Sequence, residues 1–263
     1  MFAVLFLATT LPVRAQPIEV TSSGSCAIVG MTDEQARHIA LQRARSAAIE
    51  QAAGTRITSS TLVTDGKLAA AFIKSFSLGF IVRENVRWLP IEQYQKDPST
   101  PPIPVFSVEI TASVVTPQRK AGGTGLAASL NRSLFRKGEA ALLTIATRTP
   151  ARVAVFNLMA DGKAVMLFPT DRTTLRTPGN NQPLHLPTPQ SGLELCMTTL
   201  PGHARDAEGF FVAALTDETQ PDWFDVFEPG NAMELGAFFR TYADMADRTE
   251  EKIIVYEVVS DKK

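Results

Sequence analysis

An excess of charge of one sign is missing from this chain: 26 Lys/Arg stand against 27 Asp/Glu, a formal net charge of −1 over 263 residues. That balance excludes a nucleic-acid stripe or a polybasic membrane arm as a property of the whole molecule. Cysteine (two), tryptophan (two) and histidine (three) are also scarce. Cys26 and Cys196 form no CxxC pair, and His38, His185 and His203 have no HxxxH spacing, so zinc is not expected. The histidines read as exposed or capping residues. GxSxG, phosphate-loop and dinucleotide motifs do not occur, so neither a catalytic constellation nor a cofactor is expected. Also lacking is any apolar run near the roughly 20 residues that a membrane helix needs, so no transmembrane segment is expected.

What is present is core material. With 44% hydrophobic and 20% charged residues the chain is not a disordered type, and its length accommodates two domains. The opening "MFAVLFLATTLPVRA" has an apolar run from Phe2 to Leu11, then Pro12, with Val13 and Ala15 at the −3 and −1 positions of a cleavage site. Residues 1–15 therefore read as a secretory signal peptide, although a basic leader region is lacking, and the mature chain is expected in the bacterial periplasm. An oxidising compartment lets Cys26 and Cys196 either pair, stapling two halves together, or remain as buried thiols.

"TPQRKAGGTG", residues 116–125, breaks the pattern with one proline and three glycines. It predicts residues 17–117 as one domain, a linker at 118–125, and residues 126–263 as a second domain. In the first, Thr32 and Gln35 form a capping box, Asp33 and Glu34 sit where the helix dipole favours acids, and Gly54 marks a stop. A helix over 33–53 follows, its Ala36, Ile39, Ala40, Ala44, Ala47, Ala48 and Ala52 repeating at three and four. Small side chains let such a helix lie close on a sheet. "SCAIVG", "TRITSSTLV", "GFIVRENVRWLPI" and "VFSVEITASVV" read as strands, and "GKLAAAFIKSFS" as a short helix or crossover. The fold class expected is α+β: a helix on a mostly antiparallel sheet, followed by a mainly β, sandwich-like domain with a C-terminal helix.

In the second domain "AALLTIAT", "ARVAVFNLM", "KAVMLFP", "GLELCMTTL" and "GFFVAAL" read as strands between turns at "RKGE", "DG", "TPGNNQP" and "PGHARDAEG". Asp161-Gly162 predicts a two-residue type I′ hairpin turn. The strand that follows would place Val165 and Leu167 on one face, Met166 and Phe168 on the other, and both faces would be buried. Asn231 and Glu234 read as a second capping box, ahead of a helix carrying Leu235, Phe238, Phe239, Tyr242 and Met245 into the core. "KIIVYEVV" closes the chain as a strand. Residues 118–213 hold 11 Lys/Arg against 6 Asp/Glu and residues 214–263 hold 5 against 12, so these segments are expected to pack on each other.

Candidate chemistry is thin. Asp217, Glu218, Asp222, Asp225 and Glu228 could offer oxygens to calcium, but without EF-hand spacing, and the interleaved Trp223, Phe224 and Phe227 suggest aromatics tucked under a solvated rim. Cys196 lies within an expected strand, where a buried thiol or disulfide is the reading preferred over a nucleophile. Trp88, Tyr94 and Trp223 could stack on sugar if the sandwich binds glycan, an inference resting on fold-level analogy.

The early Gly24, Cys26 and Gly30, the "AR..AL..AR..AI..A.G" helix, "ITSSTLVTDGKL" and the "S.GFI" strand resemble the N-terminal domain of the flagellar assembly protein T family and related small envelope lipoproteins. "SLNRSLFRKGEAALLTIAT", "VAVFNLMADGKAVMLFP" and "EGFFVAAL" resemble a family of bacterial exported domains of unknown function, with a G-E, D-G, L-F-P progression in a β-sandwich. The resemblance spans most of residues 20–215. It implies an envelope location and an assembly or scaffolding role with envelope proteins as partners, and it carries over no active site. The expectation is thus a noncatalytic envelope scaffold, with a peptidoglycan-binding module as the alternative and a hydrolase as the weakest reading.

Overall fold

The computed structural model describes residues 16–54, 71–95, 97–116, 123–171, 182–189, 191–215 and 222–260. The signal-like residues 1–15, the expected strand at 55–63, Asp217, Glu218 and most of the linker lie outside the described residues. The fold is mixed α+β and mainly β, with a helix laid on the N-terminal sheet and another helix near the C-terminus.

The N-terminal sheet runs in the order β1 (Ile18–Ala27), β4 (Ile103–Val115), β2 (Phe80–Trp88), with β3 (Glu92–Tyr94) also pairing β4; every pairing is antiparallel. On one face lies α1 (Asp33–Ala52). Its N-terminus is built as the sequence predicts: Thr32 Oγ1 accepts from the Gln35 amide at 3.2 Å, Gln35 Oε1 accepts from the Thr32 amide at 2.9 Å, and Gly54 takes φ +70° beyond the last turn. Ala36, Ala40, Ala44 and Ala48 are fully buried against β1 and β4. Gly24 of β1 lies under this alanine stripe.

Two further sheets follow from period-two strands. A six-stranded sheet has the order β12 (Ala232–Glu234), β9 (Lys163–Phe168), β8 (Arg152–Leu158), β11 (Arg205–Leu215), β13 (Thr249–Val259), β6 (Leu134–Arg136). A three-stranded sheet, β10 (Leu184–Leu186), β7 (Leu143–Ala146), β5 (Ala127–Leu130), packs on one face of it around Leu143, Ile145, Leu186, Val153, Phe210, Val212 and Tyr256. On the other face Phe156, Phe211 and Ala213 meet α2 (Leu235–Ala243) and the N-terminal module.

That second core does not stop at the expected domain boundary. Phe80 of β2 stacks on Phe239 of α2 with centroids 5.0 Å apart and meets Phe211 of β11 edge-on at 6.4 Å. Phe72, Ile73 and Phe76, on and just after the helical residues 71–75, join the same cluster, Phe76 lying 4.2 Å from Phe239. Gly209 makes room for Ile73, since a Cβ there would stand 2.8 Å from Ile73 Cγ2. Each fully buried phenylalanine contributes about 1.5–3 kcal/mol through removal from water. The halves keep separate sheets but share one apolar core. The end of the expected linker is also fixed, for Thr124 Oγ1 and the Gly125 amide both donate to Glu250 Oε2 at 2.9 Å.

Several local expectations are corrected. The hairpin at Asp161-Gly162 has a three-residue loop: Gly162 N–H donates to the Met159 carbonyl at 3.1 Å, Met159 N–H to the Lys163 carbonyl at 2.8 Å, and Gly162 takes φ +83°. A register shift at Val155/Phe156 then twists the β8–β9 pair, so that Met166 enters the core with α2 whereas Phe168 enters the sandwich core. "GLELCMTTL" contributes only an isolated bridge, Ala140 to Cys196, and β11 begins at Arg205 inside the expected turn. The second capping box does not form: residues 232–234 pair with β9 instead and the helix starts at Leu235, its side-chain stripe buried as expected. The opposite charges of the last two segments do meet, Arg205 pairing with Glu257 across β11 and β13.

Candidate binding surface

Because a strand alternates, one face of the N-terminal sheet is fixed by α1. Val20, Ala112 and Glu84 share a row across the three strands on that face, as do Ser22, Ile110 and Val86, then Gly24, Val108 and Trp88. Glu84 there holds Arg45 of α1 through two contacts, 3.0 and 2.5 Å, and Arg37 lies 5.1 Å over the Trp88 ring and 4.2 Å over Phe106. The intervening residues therefore form the opposite face.

That opposite face is polar and uncovered. Its rows are Glu19–Ser113–Arg83, Thr21–Thr111–Asn85 and Ser23–Glu109–Arg87, followed by Ser25 beside Ser107. Thr21, Ser23, Ser25, Arg83, Asn85, Arg87 and Thr111 are exposed. Arg87 pairs with Glu109 at 2.7 Å within a row, and Ser113 Oγ donates to Glu19 Oε1 at 2.7 Å. At one end the face is closed by Phe80 and its partner Val115 packing under α2. Between α2 and the first polar row lies a groove of about 550 Å³ lined by Glu19, Arg83, Ser113 and Arg240 among others.

A second polar group is sealed inside the sandwich. Tyr256 hydroxyl lies 2.7 Å from Glu208 Oε2 and 2.9 Å from Asn157 Oδ1, and Asn157 Nδ2 donates to Glu208 at 3.0 Å. Burial pushes the Glu208 carboxyl above its ordinary range, against the pull of the Asn157 and Tyr256 hydrogen bonds. One hydroxyl proton cannot serve both acceptors at once, so Asn157 Oδ1 and Glu208 Oε2 compete for it. The same burial, with the adjacent Glu208, pushes the Tyr256 phenol well up. With no exposed member, the group fastens β8, β11 and β13 together.

The residues singled out by sequence are dispersed. Cys26 is buried and Cys196 exposed, and no disulfide joins them, so the buried-thiol alternative holds for Cys26 and not for Cys196. Cys26 Sγ lies 3.9 Å from Met31 Sδ. Asp222, Asp225 and Glu228 face their own turns: Asp225 Oδ2 accepts from the Asp222 amide at 2.9 Å and Glu228 holds Asn231 at 3.1 Å. Among the described residues no three His, Cys, Asp or Glu side chains gather as a metal site. Trp223 is fully buried, donating through Nε1 to the Arg152 carbonyl at 3.1 Å, so it is not a sugar platform. Trp88 and Tyr94 are exposed, but register places Trp88 beside Val108 on the helix face and Tyr94 beside Ile103 on the other. His38 is half-buried rather than exposed, 2.8 Å from Gln42 Nε2, and burial, then Arg45 and His203, hold its pKa down. His203 bonds Asp206 at 2.7 Å, and His185 bonds Thr144 at 3.1 Å.

What sequence reading missed is the polar face itself. The alternation of Thr21, Ser23 and Ser25 with Val20, Gly24 and Cys26 was available as a signal, masked by the small size of the residues on both sides. Among the described residues no helix is long and apolar enough to cross a membrane, which says nothing about strands. No protein-family model matches the sequence, and no curated protein matches it.

Proposed function

We propose that this protein is a noncatalytic, exported component of the bacterial envelope that acts as a scaffold, docking a protein partner on the uncovered face of its N-terminal sheet. The observation that carries this reading is the pairing of that exposed face of hydroxyls and charged residues with a core continuous across both halves. A platform anchored in such a core holds its shape under load, because moving it requires opening the aromatic cluster around Phe80, Phe211 and Phe239. Polar rows that can exchange hydrogen bonds with a partner suit a reversible contact better than an obligate one, whose interface is more apolar. The envelope location rests on the signal-like residues 1–15 and on the family resemblance.

The test is photo-crosslinking in the native host, with benzoylphenylalanine in place of Thr21, Asn85 or Thr111, and in place of Leu134, exposed on the edge strand β6 of the other half. Discrete adducts with an envelope protein from the first three positions and not from Leu134 are expected. Adducts equally frequent from Leu134, or absent from the sheet face, would sink the proposal.

A further inference from the structure

The groove at the head of the uncovered face has a charge pattern of its own. Glu19, Ser113 and Arg83 form one row across β1, β4 and β2, and Arg240 of α2 lines the same cavity of about 550 Å³. Such a volume lies within the range of small-molecule sites, about 300–1,000 Å³. The residue skipped in the register between Ile81 and Arg83 is Val82, and this bulge is what sets Arg83 beside Ser113. Bulges commonly re-aim a side chain next to a functional site. Among the described residues no hydrogen bond or ion pair engages the side chain of Arg83 or Arg240. Glu19 gives one oxygen to Ser113 and has its other oxygen unengaged among the same residues. Val82, Val115 and Ala243 supply apolar wall between the charges.

We infer that this groove binds a free acidic amino acid, with its two carboxylates held by Arg83 and Arg240 and the ammonium held by Glu19. A guanidinium presents a planar fork that matches a carboxylate in two parallel hydrogen bonds. Among the side chains that line the groove, two such forks and one carboxylate leave one positive charge in excess. Glutamate or aspartate, with two carboxylates and one ammonium, carries the complementary single negative charge. The valine and alanine wall accommodates the methylenes between those groups. This site goes beyond the docking reading and does not depend on it.

Isothermal titration of the purified chain with L-glutamate, L-glutamyl-glycine, glutarate and inorganic phosphate tests the assignment. Saturable binding of L-glutamate is expected, weakened at least about tenfold by Arg83→Ala and by Arg240→Ala, and also by the Lys variants, which keep the charge but lose the fork. Glu19→Gln should weaken L-glutamate and leave glutarate, which has no ammonium, unchanged. L-glutamyl-glycine, whose glutamate α-carboxyl is tied up in the peptide bond, should bind more weakly than L-glutamate. Both arginines are exposed, so unchanged unfolding midpoints are expected for these variants. No saturation below about 10 mM, a contribution too weak to specify a ligand, would overturn the inference. So would binding indifferent to both Ala variants, or phosphate and glutarate binding as tightly as L-glutamate. Crosslinks from Thr21 without glutamate binding would sink this inference alone, and the reverse would sink only the docking reading.

Discussion

A Cβ placed on Gly24 would stand 2.6 Å from the backbone nitrogen of Ala44, and closer still to the carbonyl oxygen of Ala40. The strand and helix backbones touch there, and Ser22 Oγ reinforces the approach by donating to the Ala44 carbonyl at 2.7 Å. Backbone cannot move aside as a flexible side chain can. Gly24→Ala should therefore lift α1 off β1 and cost about 1–3 kcal/mol, the ordinary range for overpacking, with Gly24→Val costing more. Urea denaturation of the two variants checks this; a neutral Gly24→Ala would show that the helix has slack.

The shared aromatic core predicts a single cooperative transition. Phe80→Ala, made in the N-terminal half, should destabilise the whole chain by about 3–5 kcal/mol, and Phe211→Ala in the other half by a similar amount. Tryptophan fluorescence and far-ultraviolet circular dichroism should give coincident unfolding curves in both variants. Two separated transitions, with Phe80→Ala shifting only one, would show the halves to be independent.

Two groups should give stability opposite dependences on pH. His38 is held below its ordinary value of 6.5, so the unfolded chain takes up the proton first and the stability it contributes is lost as pH falls from about 6.5 through the folded value. Glu208 is held above its ordinary 4.5, so its contribution is present below about 4.5 and is lost as pH rises through the folded value. Against the parent chain, His38→Gln should gain relative stability on acidification and Glu208→Gln should gain it as pH rises above about 4.5. Urea midpoints between about pH 4 and 8 read both slopes. Parallel curves for parent and variant would remove the corresponding group from the account.

Thiols of unequal exposure predict unequal chemistry. In the folded protein a maleimide should modify Cys196 promptly and Cys26 only after denaturation, since burial shields the latter. Mass spectrometry of the unreduced protein should show no mass loss for a bridge. A Cys26–Cys196 disulfide recovered from the native protein would contradict the structure.

Elements governed by local physics were readable. The α1 cap, its alanine stripe and its stop all follow from neighbours within one turn, and the alternation of β4, β8 and β9 is explicit in their residues. Less readable was whatever depends on distant partners. Residues 231–234 carry a sound capping pattern, yet β9 offers a free edge and pairing wins over the cap. Met166 and Phe168 share a parity, but the shift beside Phe156 divides them between two cores. Arg240 and Arg83 are 157 positions apart in sequence, and only the closure of α2 over Phe80 brings them to one groove. A hydroxyl-rich face made of Thr21, Ser23 and Ser25 gives no sign of its purpose in a chain with this many small polar residues.

The last strand, β13, lies inside the six-stranded sheet, between β11 on one side and the parallel β6 on the other. A ribosome making this chain therefore delivers every other strand of that sheet before the one that completes it. Until residue 259 has emerged, β6 has no neighbour and β11 shows an open edge beside Phe210 and Phe211. That sheet therefore stays open while the strands before β13 are made, a condition in which a chaperone can still hold it, and it closes only when β13 slides in between β11 and β6.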